Sequence, residues 1–231
     1  MNKYDNNFYR RASTNYDSAV IILGYLFKLL KPKSIVDLGC GTGAWLRAAN
    51  ELGITEILGI DNHQQTEMLE INPEYYQKQN IESDFNIDRK FDMAICLEVA
   101  EHLPEGSADL IVNNLINLSD VVLFSAAIPR QGGTNHRNEQ WQEYWVNKFY
   151  NAGFEKIDLI RKKFWDESQI KWWYSQNAFL FIAKHKVESY PDLNIENANL
   201  PLNLVHPNNY LTKTKNKRTI LSKISDKIFK K

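Results

Sequence analysis

An α/β fold with a doubly wound, mostly parallel sheet is what this 231-residue sequence predicts, and three observations carry that expectation. Apolar runs of strand length alternate with segments of helical period through the first 150 residues. One of them, Ser34 to Leu38, meets three glycines spaced two apart, Gly39, Gly41 and Gly43, which marks a strand turning sharply into a helix. Two later apolar runs have no long helical segment between them, so they are expected to pair antiparallel at one edge.

Residues 1–13 are polar and basic and read as a flexible arm. A helix is expected from about Thr14 to Leu30, because Ala19, Ile22, Leu23, Leu26, Leu29 and Leu30 recur on one face and Pro32 stops it. Ser34 to Leu38 is the first strand, and Ala44 to Leu52 the helix after the glycines, with Trp45, Leu46, Ala49 and Leu52 at helical spacing. Glu56 to Asp61 reads as strand two. The stretch from Asn62 to Tyr75 reads as helix and then loop, and Tyr76 to Ile81 as strand three. Phe91 to Leu97 is strand four. Ser107 opens a helix carrying Leu110, Ile111, Leu115, Ile116 and Leu118, followed by strand five, Val121 to Ala127. After a loop from Ile128 to Arg137, Asn138 is expected to cap the helix of Trp141, Tyr144, Trp145 and Phe149, which Gly153 ends. Glu155 to Phe164 and Asn177 to His185 are read as the final two strands, making seven.

A chain of this size with 43% hydrophobic residues can bury one sizeable core. The formal charge of zero conceals an asymmetry: residues 209–231 hold eight Lys/Arg and one Asp, leaving 20 basic and 27 acidic groups in the first 208 residues. An acidic body makes nucleic acid an unlikely partner, since phosphate backbones are bound by clustered Lys and Arg. Cys40 and Cys96 each fall at the end of an expected buried strand, which suits apolar packing in a reducing, cytoplasmic compartment. No signal peptide is read at the start, and the longest apolar run, Ala19 to Leu30, is too short to span a bilayer.

The glycine loop admits two ligands. Gly39, Gly41 and Ala44 satisfy the dinucleotide spacing, with Asp61 as the acid at the end of the next strand. Asp37 separates the two readings, because a carboxylate two residues before the first glycine would repel a pyrophosphate and attract an ammonium or sulfonium. The run Val36-Asp37-Leu38-Gly39-Cys40-Gly41-Thr42-Gly43 resembles motif I of the class I S-adenosylmethionine-dependent methyltransferases nearly residue for residue. The resemblance covers roughly residues 14–185 and implies the Rossmann-like seven-stranded sheet of that family, with S-adenosylmethionine as cofactor. It also implies cofactor contacts from Asp37, Gly39, Cys40, Gly41 and Gly43, ribose hydroxyls on Asp61, adenine near Ile81 and Glu82, and the methyl group beside Leu97 and Glu98.

Methyl transfer from a sulfonium is one in-line displacement, and a hydroxyl acceptor must also lose a proton to a base or a metal-assisted group. His136, Glu101 and His102 are the catalytic candidates. His136 lies on a glycine-hinged loop after strand five, where Asn135 and Asn138 could orient its imidazole as a base. Glu98-x-x-Glu101-His102 resembles the E-x-x-E-H metal sites of methyltransferases that make ubiquinone or act on small-RNA ends, so Glu98, Glu101, His102 and His136 form an alternative divalent-metal set. A helical turn starting at Glu98 would place the first three on one face. The base is the preferred reading over the metal, and the third alternative is a brace for the loop.

The segment Gly132 to Trp141 resembles a loop of bacterial methyltransferases, some associated with surface-glycan synthesis. The expected reaction is therefore methylation of a hydroxyl, with an amine second, on a small-molecule or glycan-type acceptor. A metal-dependent RNA-end enzyme and a catalytically silent cofactor-binding subunit are the alternatives. Trp165, Trp172, Trp173 and Tyr174 are expected to cover the open sheet edge rather than to stack on a sugar. Residues 186–231 are read as a weakly ordered linker ending in a basic amphipathic helix, Arg218 to Lys231, suited to an anionic membrane surface or a partner protein. The oligomeric state is left open.

Overall fold

The computed structural model of the chain describes residues 15–62, 66–193 and 201–214. The arm over 1–13 and the basic helix over 218–231 lie outside the described residues. A single seven-stranded sheet forms the centre, in the order β3-β2-β1-β4-β5-β7-β6. Its strands are β1 Ser34–Leu38, β2 Glu56–Asp61, β3 Tyr76–Lys78, β4 Met93–Leu97, β5 Val121–Ser125, β6 Phe154–Ile157 and β7 Phe179–Ala183. Every pairing is parallel except the two made by β7, which runs antiparallel between β5 and β6. The expected antiparallel pairing of the last two strands is therefore present, with β6 on the outside.

All five residues of β1, β5 and β7 are buried, the signature of strands covered on both faces. Alternate side chains enter two separate cores, because successive residues of a strand point to opposite faces. Ile35, Met93, Ile95, Leu123 and Leu180 face one way, onto helices α1 (Tyr16–Leu30) and α2 (Ala44–Glu51). Val36, Leu38, Ala94, Cys96, Phe124 and Phe181 face the other, onto α3 (Ala108–Leu118) and α4 (Gln142–Asn151). Chain order leaves β1 in one direction to β2 and returns on its other side with β4. The carboxyl ends of β1 and β4 thus frame the crevice where sheets of this kind bind ligands.

Three local expectations are corrected. Glu155 to Phe164 is not one strand: β6 stops at Ile157, and Leu159–Phe164 forms a helix, α5. The cause is a helical repeat within the run, where Ile160 and Phe164 are four apart and buried together, and Asp158 meets Arg161 one turn on. The aromatic segment is likewise helical, α6 Trp172–Asn177, with Tyr174 buried edge-on against Trp45 of α2. Trp141, not Asn138, occupies the cap of α4, because Asn138 donates its backbone N–H to the Glu101 carbonyl. Strand three is only three residues long, and the span before it holds two short 3₁₀ turns, Thr66–Met68 and Pro73–Tyr75.

Residues 201–214, within the segment expected as a linker, lie against the body. Buried Arg161 donates to the carbonyls of Pro201 and Leu202, and Gln142 donates to that of Leu204. Residues 207–214 are helical, with Asn209 buried on their inner side. Among the described residues no helix is long and apolar enough to cross a membrane.

Candidate active site

The glycine loop leaves β1 with its first two amides fixed by β2: Gly39 and Cys40 both donate to the Ile60 carbonyl, at 2.7 and 3.3 Å. Gly39 is at φ +84°, and a Cβ there would lie 2.6 Å from the Val99 methyls, so both the backbone angle and the approach of the loop after β4 demand glycine. The Asp61 carboxylate, at the end of β2, accepts the Gly41 N–H at 2.9 Å and thereby ties the two strand ends together. Asp37 is 3% exposed. Burial, and then the Asp61 charge, push its carboxyl well above the usual carboxylate range, so a ligand cation at this point would be strongly favoured. Cys40 is a buried free thiol, also pushed up by burial and the same two acids.

Across the crevice, Ile81 is buried and Glu82 exposed, with Glu82 reaching Arg137 of the opposite loop at 3.5 Å. Leu97 ends β4, and the chain then bends through Glu98 at φ +56°. That left-handed residue prevents a helix from starting at Glu98; a short 3₁₀ turn, Ala100–His102, starts two residues later. The expected shared face of Glu98, Glu101 and His102 is therefore absent.

Glu98 turns instead into a polar pocket. Its Oε1 accepts from Ser125 Oγ at 2.8 Å and Asn177 Nδ2 at 3.1 Å, and its Oε2 from Gln131 Nε2 at 2.8 Å. Burial raises its pKa to about 7, against the opposing effect of these three donors.

Glu101, His102 and His136 converge: each offers a ligand atom, and these atoms lie within 4.8 Å of one another. The two imidazoles meet edge to face with centroids 4.9 Å apart. His102 is depressed to about 4, by burial first and His136 second, so its ring is neutral at ordinary pH. Glu101 is 1% exposed, one of its carboxylate oxygens has no hydrogen-bond partner, and burial and then the Glu98 charge raise it well above the usual range. Its backbone carbonyl accepts the N–H groups of Arg137 and Asn138, which pins the loop bearing His136 to the end of β4.

His136 Nδ1 lies 2.8 Å from Glu139 Oε1. Burial opposes ionisation of Glu139, but the contacts from His136, Gly132 and Arg130 outweigh it and hold the acid below its ordinary pKa. An ionised Glu139 accepts, so Nδ1 carries a proton, and in the neutral ring the lone pair is then on Nε2. A Cβ on Gly133 would fall 2.0 Å from that Nε2, so the loop can hold the ring only with glycine there.

The set of Glu101, His102 and His136, a buried acid beside two half-buried rings, is also chemically apt for a divalent cation. A carboxylate with an unpartnered oxygen and a neutral imidazole are the ligand types such an ion takes. Sequence reasoning missed Glu139, Gln131, Asn177 and Ser125. Of these only Glu139, three residues after a histidine in a loop, left a local signal.

The sequence matches a methyltransferase domain family over residues 11–179. A ribosomal protein L11 methyltransferase of Thermosipho africanus is 28% identical over 150 residues, 62% of this chain and 56% of that protein. A ubiquinone biosynthesis O-methyltransferase of Coxiella burnetii is 34% identical over 86 residues, 33% of this chain and 35% of the relative. The chain thus spans about half or less of the length of these curated relatives. The magnesium protoporphyrin IX methyltransferase of Synechocystis PCC 6803, solved with bound S-adenosylmethionine, superposes with a TM-score of 0.51 at 17% identity, covering 79% of this chain and 88% of that one.

Proposed function

The chain belongs to the methyltransferase domain family of class I S-adenosylmethionine-dependent enzymes, and from that premise we propose that it moves the cofactor's methyl group to a hydroxyl of a small-molecule or glycan-type acceptor. The observation that carries this reading is the imidazole of His136, fixed through Nδ1 by Glu139, which leaves Nε2 as the basic nitrogen of the neutral ring. Sulfonium carbon and acceptor oxygen need only be aligned, but the oxygen must shed its proton, and an oriented neutral imidazole is the group for that. The new O–CH₃ bond forms as the S–CH₃ bond breaks. S-adenosylhomocysteine leaves, and the proton passes to His136, whose cationic form Glu139 stabilises.

A second reading is favoured by the convergence of Glu101, His102 and His136 within 4.8 Å. These residues would hold a divalent cation, and such an ion would supply Lewis acidity that lowers the acceptor hydroxyl's pKa. The sites of Asp37, the glycine loop and Asp61 are assigned to the methionyl ammonium, the methionyl chain and the ribose. We place the enzyme in the cytoplasm, with its basic C-terminal tail available to an anionic surface.

The cofactor assignment is tested at Asp61. Asp61→Ala is expected to weaken S-adenosylmethionine by about 1.5–3 kcal/mol in titration calorimetry, the usual worth of hydrogen bonds to a charged group. Unchanged affinity, or binding of a nicotinamide dinucleotide in its place, would refute it. The loop is tested at Gly133: Gly133→Ala displaces the ring from Glu139 and is expected to cost on the order of 10²-fold in turnover while calorimetry shows cofactor affinity intact. A fully active variant would mean that His136 is not held for chemistry.

A further inference from the structure

A chain of buried amides runs from Glu98 to the C-terminal segment, through residues no part of the proposed reaction uses. Gln131 Nε2 and Asn177 Nδ2 donate to the Glu98 carboxylate. Gln131 Oε1 then accepts from Asn177 Nδ2 and from Gln176 Nε2, each at 2.9 Å, and Gln176 Nε2 also reaches Asn177 Oδ1. Gln176 Oε1 accepts the His206 N–H at 2.9 Å and Asn209 Nδ2 at 3.2 Å.

The polarity of this chain is dictated from one end. In its ionised form Glu98 offers only acceptors, and both neighbouring amides turn their NH₂ groups to it. Their oxygens then face Gln176, which must donate inward and accept outward. What it accepts outward are donors of residues 206 and 209. Gln131, Gln176, Asn177, His206 and Asn209 are all at most 7% exposed, so no water substitutes freely for a missing partner.

A second contact leads from the same segment to the loop that carries His136. Lys213 Nζ lies 2.5 Å from where a Cβ of Gly132 would stand, so the lysine crosses the loop closely at its glycine hinge. Gln131, beside that hinge, belongs to the amide chain, and its side-chain Oε1 also accepts the Ile128 N–H. The segment thus meets the loop at Gln131, through Gln176, and passes close to it at Gly132.

We propose that residues 201–214 are part of the active site at one remove: docked on Gln176, they act through Gln131 and Asn177 to position the Glu98 carboxylate and the 128–139 loop. The methyl-end function of Glu98 rests on the reading given above, but the mechanical link does not. The catalytic domain, expected from sequence to close at residue 185, extends on this view to about residue 214. Gln131, Gln176 and Asn177 are positioning residues, and Glu98 is the group they position beside the sulfonium.

The test uses the full-length chain with Gln176→Met, which keeps the volume and removes both ends of the link, and Asn209→Leu, which disturbs only its outer end. Hydrogen exchange followed by mass spectrometry is expected to accelerate at least tenfold in both 201–214 and 128–139 in Gln176→Met, with the central strands unchanged. A well-placed Glu98 carboxylate favours the charged S-adenosylmethionine over the neutral S-adenosylhomocysteine. The ratio of their dissociation constants in Gln176→Met is therefore expected to move at least threefold toward the neutral compound. A residue that merely stabilises the fold would weaken both alike.

Faster exchange confined to 201–214, with an unchanged ratio, would overturn the proposal and leave the segment as a cover. Should Gln176→Met fail to fold, Asn209→Leu decides: faster exchange in 128–139 supports the link and unchanged exchange refutes it. If the unmodified chain binds neither adenosyl compound, the cofactor reading fails while the exchange measurement still decides the link.

Discussion

His136→Ala is expected to lower methyl transfer by about 10²-fold or more while leaving S-adenosylmethionine affinity unchanged. The imidazole is held by Glu139 at 2.8 Å and stands against His102. Its loss removes the proton acceptor without disturbing the glycine loop. Release of S-adenosylhomocysteine with hydroxylated acceptors, measured beside calorimetry on the same samples, separates the two effects. Loss of activity on chelation, restored by a divalent ion, would assign His136 to a cation shared with Glu101 and His102. A fully active His136→Ala enzyme would eliminate both readings.

The largest stability effect is expected at Asp158. Arg161 is 0% exposed and donates Nε to both Asp158 oxygens at 3.0 Å, so removing the acid strands a guanidinium in the interior. Breaking a buried pair in this way costs about 3–5 kcal/mol. For a chain of this size that lowers the melting temperature by roughly 6–20 °C. The same arginine holds the Pro201 and Leu202 carbonyls, so the C-terminal segment is expected to loosen first. Replacing both partners, Asp158→Ala with Arg161→Met, should recover part of the loss. Calorimetric melting of Asp158→Ala within a degree or two of the parent would show that the pair is not structural.

Much of the glycine-loop end of the sheet was readable from residue types alone. Three glycines after an apolar run fix a turn that a Cβ would block, and at Gly39 the blocking atoms belong to Val99. Asp37 and Asp61 could be placed because each ends or sits within a strand whose neighbours are apolar, and strand ends are what a doubly wound sheet brings together. The helix α5 was misread because Phe154, Ile157, Ile160 and Phe164 satisfy both periods in part over so short a run. The E-x-x-E-H spacing suggested one face of a helix, whereas the positive φ at Glu98 sends that side chain elsewhere.

The sequence by itself determined the sheet, the chain order of its strands and of the helices through α4, the glycine loop with its two acids, and which acids and imidazoles were candidates to handle a proton or a cation. These follow from local periodicity and from backbone geometry that only certain residues permit. The tertiary structure alone decided which of those residues meet: Glu101 with His102 and His136, Glu98 with Gln131 and Asn177, and Gln176 with the segment beyond residue 200. Side-chain hydrogen bonds between positions 30 to 79 residues apart leave no period in the chain. They are set by how the strands stack and where the loops cross, so they become visible only once the sheet has placed its ends.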